Sequence, residues 1–231
     1  MASIPQKLHD VNLRIEAACA AAGRGVQGVT LLAVSKTQPA AAVREAAAAG
    51  QRAFGENYVQ EGLAKIEDLA DLRAQLVWHL IGPLQSNKTR VVAEAFDWVH
   101  SVDRLKTAER LAEQRPAALP PLQLCLQVNI SGEDSKSGVP PSEVLALARA
   151  VAALPRERVV LRGLMAIPEP AGDFAAQRAP HRALRELLEQ LDRDGLAVDT
   201  LSMGMSADLA AAVAEGATIV RIGTAIFGAR G

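Results

Sequence analysis

Cysteine, aromatic side chains, net charge and long apolar runs are all in short supply in this chain. Cys19 and Cys125 are the only cysteines, and their spacing fits neither a disulfide framework nor a zinc site. That pattern suits a reducing compartment. Lys and Arg number 25 against 26 Asp and Glu, a net charge of −1. The charges are spread without long blocks, which argues against a nucleic-acid-binding surface. No apolar stretch has the length of a membrane span or the form of a secretory signal, so a cytoplasmic chain is expected. Aromatics make up only 3%, with Tyr58 the single tyrosine. Yet 49% of the 231 residues are hydrophobic, too many for a disordered chain. One α/β domain over residues 1–231 can bury its own core without disulfide or metal.

What is present is a rhythm. Residues 3–22 place Leu8, Val11, Ile15 and Ala18 on one face of an N-terminal amphipathic helix, ended by Gly23, Gly25 and Gly28. Strand-like runs follow at Thr30–Ser35, Ala53–Phe54, Leu76–Ile81, Trp98–Val102, Leu122–Asn129, Val159–Ala166, Val198–Ser202 and Thr218–Ile222. Helical segments are expected between and after them: 40–49, 57–73, 87–95, 104–115, 141–153, 174–194, 206–215 and 224–229. Eight βα units favour a parallel sheet with right-handed crossovers, closed as a (β/α)8 barrel with an extra N-terminal helix. An open doubly wound sheet is the alternative, but Ser35-Lys36-Thr37-Gln38-Pro39 after the first run is no dinucleotide-binding turn.

Chemistry in such a barrel sits where strands end. The first run ends in Lys36. Desolvation there would push its ammonium toward the neutral amine that Schiff-base formation requires. Reaching out to solvent is the bland alternative. Asn57, after Phe54-Gly55-Glu56, is placed to cap the following helix. His79 either faces the barrel mouth or is a satisfied core histidine; no other histidine gives it metal-ligand spacing. Leu201-Ser202-Met203-Gly204-Met205-Ser206 and Arg221-Ile222-Gly223-Thr224 occupy the two final loops, the usual phosphate position in these barrels. Gly204 and Gly223 would let backbone N–H groups approach an anion, with hydroxyls from Ser202, Ser206 and Thr224. Ser206 is also the expected helix cap before Asp208. A strand-end lysine, a phosphate cradle and Arg221 between them suggest an aldehyde with a phosphate tail, and pyridoxal 5′-phosphate (PLP) is the natural candidate.

Several ordered segments strengthen that reading: Val34-Ser35-Lys36, Phe54 to Glu61, Trp78 to Gly82, Asn129-Ile130 through Ser137-Gly138, Gly163 to Pro168, Leu201 to Ser206, and Val220 to Gly228. Together they resemble the YggS/PROSC family of PLP homeostasis proteins over nearly the whole chain. The resemblance implies a fold-type III barrel like the N-terminal domain of alanine racemase, with PLP held as an internal aldimine on Lys36. It implies that Arg221 faces the pyridine nitrogen and that Ser206, Gly223 and Thr224 hold the phosphate. Asn57, His79, Met165, Ser202 and Met203 would line the pocket.

Three functions are left to weigh. A carrier that buffers PLP and delivers it to apo-enzymes is the first, and a small amino-acid racemase or lyase is the second. A structural barrel with a merely buried Lys36 is the third. A racemase of this fold takes its second base from a tyrosine in a C-terminal domain. The chain stops soon after its eighth strand, and Tyr58 is expected in helical packing or at the surface. An arginine at the pyridine nitrogen would also leave the ring a poor electron sink. The carrier reading, as a monomer without nucleic-acid or membrane partners, is therefore expected, with Lys136 in its polar loop assisting cofactor exchange.

Overall fold

The computed structural model describes residues 2–132 and 137–228. Its first helix, α1 (Ile4–Ala21), starts where Ser3 accepts a hydrogen bond from the Gln6 N–H at 3.4 Å and Pro5 pre-sets the first turn. Leu8, Val11, Ile15 and Ala18 form its buried face, as the periodicity predicts. The alternation then runs β1 (Thr30–Val34), α2 (Ala40–Ala48), β2 (Ala53–Glu56), α3 (Val59–Asp68), β3 (Val77–Leu80) and α4 (Thr89–Ala95). It continues through β4 (Trp98–Val102), α5 (Leu105–Gln114), β5 (Leu122–Gln127), α6 (Val144–Ala152), β6 (Val159–Met165) and α7 (Phe174–Arg193). It ends in β7 (Thr200–Ser202), α8 (Leu209–Ala214), β8 (Ile219–Ile222) and the one-turn α9 (Thr224–Phe227).

Among the described residues the eight strands pair in parallel and in chain order, and β8 closes onto β1 with Leu31 opposite Val220 and Leu32 opposite Arg221. The expected (β/α)8 barrel is thus the observed fold. Apolar side chains between strands and helices form the larger core. A smaller cluster of Leu32, Ala53, Ile81 and Ile219 fills the barrel itself. Below it the guanidinium of Arg162 lies over the Trp98 ring at 5.1 Å and pairs with Asp199 at 2.6 Å. The interior is packed, not open. None of the described helices is long and apolar enough to cross a membrane.

Two local differences from expectation have a physical cause. The helix expected over 206–215 begins only at Leu209, and Ser206 is not its cap. Gly204, at φ +89°, turns the chain where a Cβ would lie 2.4 Å from the Ala212 Cβ. Asp208 then accepts from the Met205 N–H at 2.6 Å and engages His181 Nε2 at 2.8 Å, which keeps 205–207 as a turn. Asn57 does not cap α3 either. The cap position is Tyr58, without a side-chain bond, and the residue is 60% exposed. Gly82 explains the shift: a Cβ there would sit 2.1 Å from the Asn57 carbonyl, so β3 leaves the sheet pressed against that backbone.

Candidate functional site

The C-terminal ends of β1, β2, β3, β6, β7 and β8 surround a cleft of about 370 Å³, within the range of small-molecule sites. Lys36, Asn57, Ser206, Arg221, Gly223 and Thr224 all line it. Val34, Ile81, Ile167, Met205 and Ala207 supply apolar wall. Six residues singled out in the sequence therefore meet in one place, although they come from the ends of four separate strands and the loops that follow them. A second hollow of about 300 Å³ shares Asn57, Ile81 and Ile167 with it.

Lys36 is half-buried, and among the described residues no carboxylate pairs with it. Across the cleft the first N–H groups of α9 have no intrahelical acceptor. Gly223 lies so close to β1 that a Cβ would approach the Val34 carbonyl to 3.1 Å. The Ser206 loop is held from outside: Arg14 on α1 donates to the Ser206 carbonyl at 2.7 Å. Sequence reading missed Arg14, whose helical position carries no sign of a partner 192 residues away.

Arg221 is buried in the floor. It donates to the Ser202 carbonyl at 2.5 Å, to Ser202 Oγ at 2.9 Å and to the Ala166 carbonyl at 2.8 Å. Burial pushes its guanidinium down to about 10, partly opposed by Asp208, so it is still cationic at neutral pH. Lys36 and Arg221 give the cleft two cationic groups. No acidic side chain lines it among the described residues. The Asn57 Oδ1 is buried without a hydrogen-bond partner and has capacity for a ligand. A phosphorylated, ring-containing aldehyde such as PLP fits this donor set: an amine for the aldehyde, neutral donors and positive charge for the anion, a donor-only guanidinium beneath.

His79, Met165, Ser202 and Met203 are buried and are not part of the cleft wall; Met203 packs in the core between strands and helices. His79 stacks on Trp98 with ring centroids 5.3 Å apart and meets His100 at 2.9 Å; His100 in turn meets Ser202 Oγ at 2.8 Å. Arg221 only donates, so Ser202 Oγ accepts from it. The chain Arg221–Ser202–His100–His79 is thus one connected buried network. Lys136 lies outside the described residues. Both cysteines are free and buried, and burial pushes the Cys125 thiol up to about 12. Among the described residues no cluster of three or more metal-ligating side chains forms.

Desolvation pushes His79 down to about 3, and His100 falls well below its usual value, with His79 and Arg221 adding to the effect of burial. The unfolded chain binds these protons near pH 6.5 while the native one does not, so stability falls as pH drops below that value. Between pH 7 and pH 5 His79 is expected to remove about 2 kcal/mol, and His100 acts in the same direction. Urea unfolding of the wild type and of His79→Gln at both pH values checks this. The variant should show a clearly smaller acid loss, and equal losses would contradict the assignment.

The sequence profile of the alanine racemase N-terminal domain family matches residues 12–231. A pyridoxal phosphate homeostasis protein of Pseudomonas aeruginosa is 64% identical over 230 residues, covering 100% of this chain and 97% of the relative. Its counterpart in Escherichia coli K12 is 54% identical over 231 residues, covering 100% and 98%. Among solved structures, PipY of Synechococcus elongatus with PLP bound superposes with a TM-score of 0.84 at 41% identity, covering 98% of this chain and 100% of that one. An alanine racemase of Corynebacterium glutamicum reaches a TM-score of 0.70 at 19% identity over 94% of this chain and 59% of its own, a likeness of fold alone.

Proposed function

Because the chain belongs to the YggS/PROSC family of pyridoxal phosphate homeostasis proteins, within the alanine racemase N-terminal domain family, we propose that it binds PLP at the barrel mouth and buffers its supply without turning over amino acids. When bound, PLP supplies an aldehyde carbon that a primary amine attacks reversibly. Lys36 is the amine of the cleft. Ser206, Gly223 and Thr224 hold the phosphate end, and Asn57 bonds the ring substituents with its spare amide capacity. Arg221 presents N–H donors toward the ring nitrogen and, carrying no carboxylate, leaves that nitrogen unprotonated. The ring then stays a weak electron sink.

One observation carries the distinction from an enzyme. Among the described residues lining the cleft there is no carboxylate, tyrosine or histidine that could act as a second base opposite Lys36. Tyr58 stands exposed on the neighbouring surface and lines an adjoining hollow with Gln60, Gln85 and Lys88, which meets the cleft at Asn57 but leaves Tyr58 outside the cleft lining. Delivery to apo-enzymes follows from a reversible covalent hold in an open cleft. A monomer in the cytoplasm suits that role. Incubating the PLP-loaded protein with D- and L-amino acids in deuterium oxide tests the reading. No exchange or racemisation above that of free PLP is expected, and sustained turnover above it would establish an enzyme instead.

A further inference from the structure

A buried ionic cluster stands directly behind Lys36. Lys65, on α3 and only 5% exposed, donates to the Ser35 carbonyl at 2.5 Å, to Glu56 Oε1 at 2.8 Å and to Glu61 Oε1 at 2.6 Å. Every N–H of its ammonium is thereby used. Ser35 Oγ donates to the same Glu56 oxygen at 2.6 Å, and the Thr37 N–H donates to Glu61 Oε1. The cluster grips the residue before Lys36 and the residue after it. None of its side chains lines the cleft.

The backbone between those grips is unusual. The Gln38 N–H donates to the Ser35 carbonyl at 3.0 Å, closing a turn with Lys36 and Thr37 at its centre. Thr37 has φ +64° and is the only residue other than glycine with positive φ among those described. That is the geometry of a type II turn, whose third position ordinarily takes glycine. A β-branched residue there is strained. The alternative type I turn flips the central peptide, which is the one carrying the Thr37 N–H. Only the flipped-in orientation reaches Glu61.

We propose that Glu61, itself fixed by Lys65, is a positioning residue that selects the strained turn and so pre-organises Lys36 for reaction with the cofactor aldehyde. The inference rests on the PLP reading of Lys36 given above. Without Glu61 the turn relaxes, and only a minority of molecules present Lys36 in the reactive arrangement. Glycine at position 37 takes the type II geometry without help, so it should make Glu61 dispensable.

The test compares the wild type with Glu61→Ala, Thr37→Gly and the double variant. The rate of Lys36 labelling by PLP is read by borohydride trapping and peptide mass analysis, with amide hydrogen exchange at Thr37 followed in the absence of PLP. Glu61→Ala should label about tenfold more slowly and lose Thr37 protection. Thr37→Gly alone should label at about the wild-type rate, and the double variant should recover to within about threefold of it. A merely structural role for Glu61 would not be rescued by glycine at 37. Wild-type labelling in Glu61→Ala, a double variant as slow as the single one, or an unprotected Thr37 amide in the wild type would each overturn the inference. A wild type with protected Thr37 but no labelled Lys36 would overturn the PLP reading instead.

Discussion

Lys36→Ala is expected to lose covalent PLP completely, with the absorption band of the protein-bound cofactor absent at any PLP concentration. Residual affinity would come from the phosphate loops and Arg221 alone, weaker by about a hundredfold or more, at least ~3 kcal/mol. The fold should not change. Lys36 is half-buried and has no ion pair among the described residues, so its removal should shift unfolding stability by about 0.5 kcal/mol or less. Equilibrium dialysis and urea unfolding on the same preparation separate the two effects. Retention of wild-type affinity in Lys36→Ala would place the attachment elsewhere.

Arg221→Met is expected to damage cofactor binding far more than folding, because opposing terms nearly cancel in the fold. Burying the guanidinium without a carboxylate partner is unfavourable; the fall of its pKa to about 10 corresponds to about 3 kcal/mol that methionine would recover. Against this, the Ala166 carbonyl loses its donor in a dry interior. Ser202 Oγ keeps its bond to His100, and the Ser202 carbonyl keeps the Ala166 N–H at 3.3 Å. One buried group left unpaired costs about 1–3 kcal/mol. The net expectation is a change within about 2 kcal/mol by urea unfolding, with PLP affinity falling about tenfold or more. Wild-type PLP affinity in the variant would contradict the placement of Arg221 at the cofactor.

Much of this architecture was legible because its signals are local. Alternation of short apolar runs with helical segments located every strand of the barrel, and the strand ends then pointed to Lys36, Arg221 and the two final loops. Errors arose where one side chain diverted the backbone. Asp208 bonds Met205 and His181, which delays α8, and no spacing rule announces that choice. The pressure of Gly82 on the Asn57 carbonyl, which moves the start of α3, is likewise a contact between loops that follow neighbouring strands. Whether a residue near a strand end faces the cleft or the interior depends on a single step of a period-two pattern. Ser202 and Met203, adjacent in the chain, take opposite sides of it: Ser202 meets Arg221 inside the barrel, and Met203 joins the core between strands and helices. The glutamate–lysine pair Glu61 and Lys65 does have the visible i,i+4 spacing of a helical ion pair. Its connection to Thr37 and Ser35 exists only once the barrel closes.

Borohydride reduction of the wild-type protein equilibrated with PLP, followed by peptide mass analysis, decides whether Lys36 holds the cofactor. One dominant pyridoxyl adduct is expected, on the peptide containing Lys36. Adducts scattered over surface lysines, with Lys36 unmodified, would contradict it.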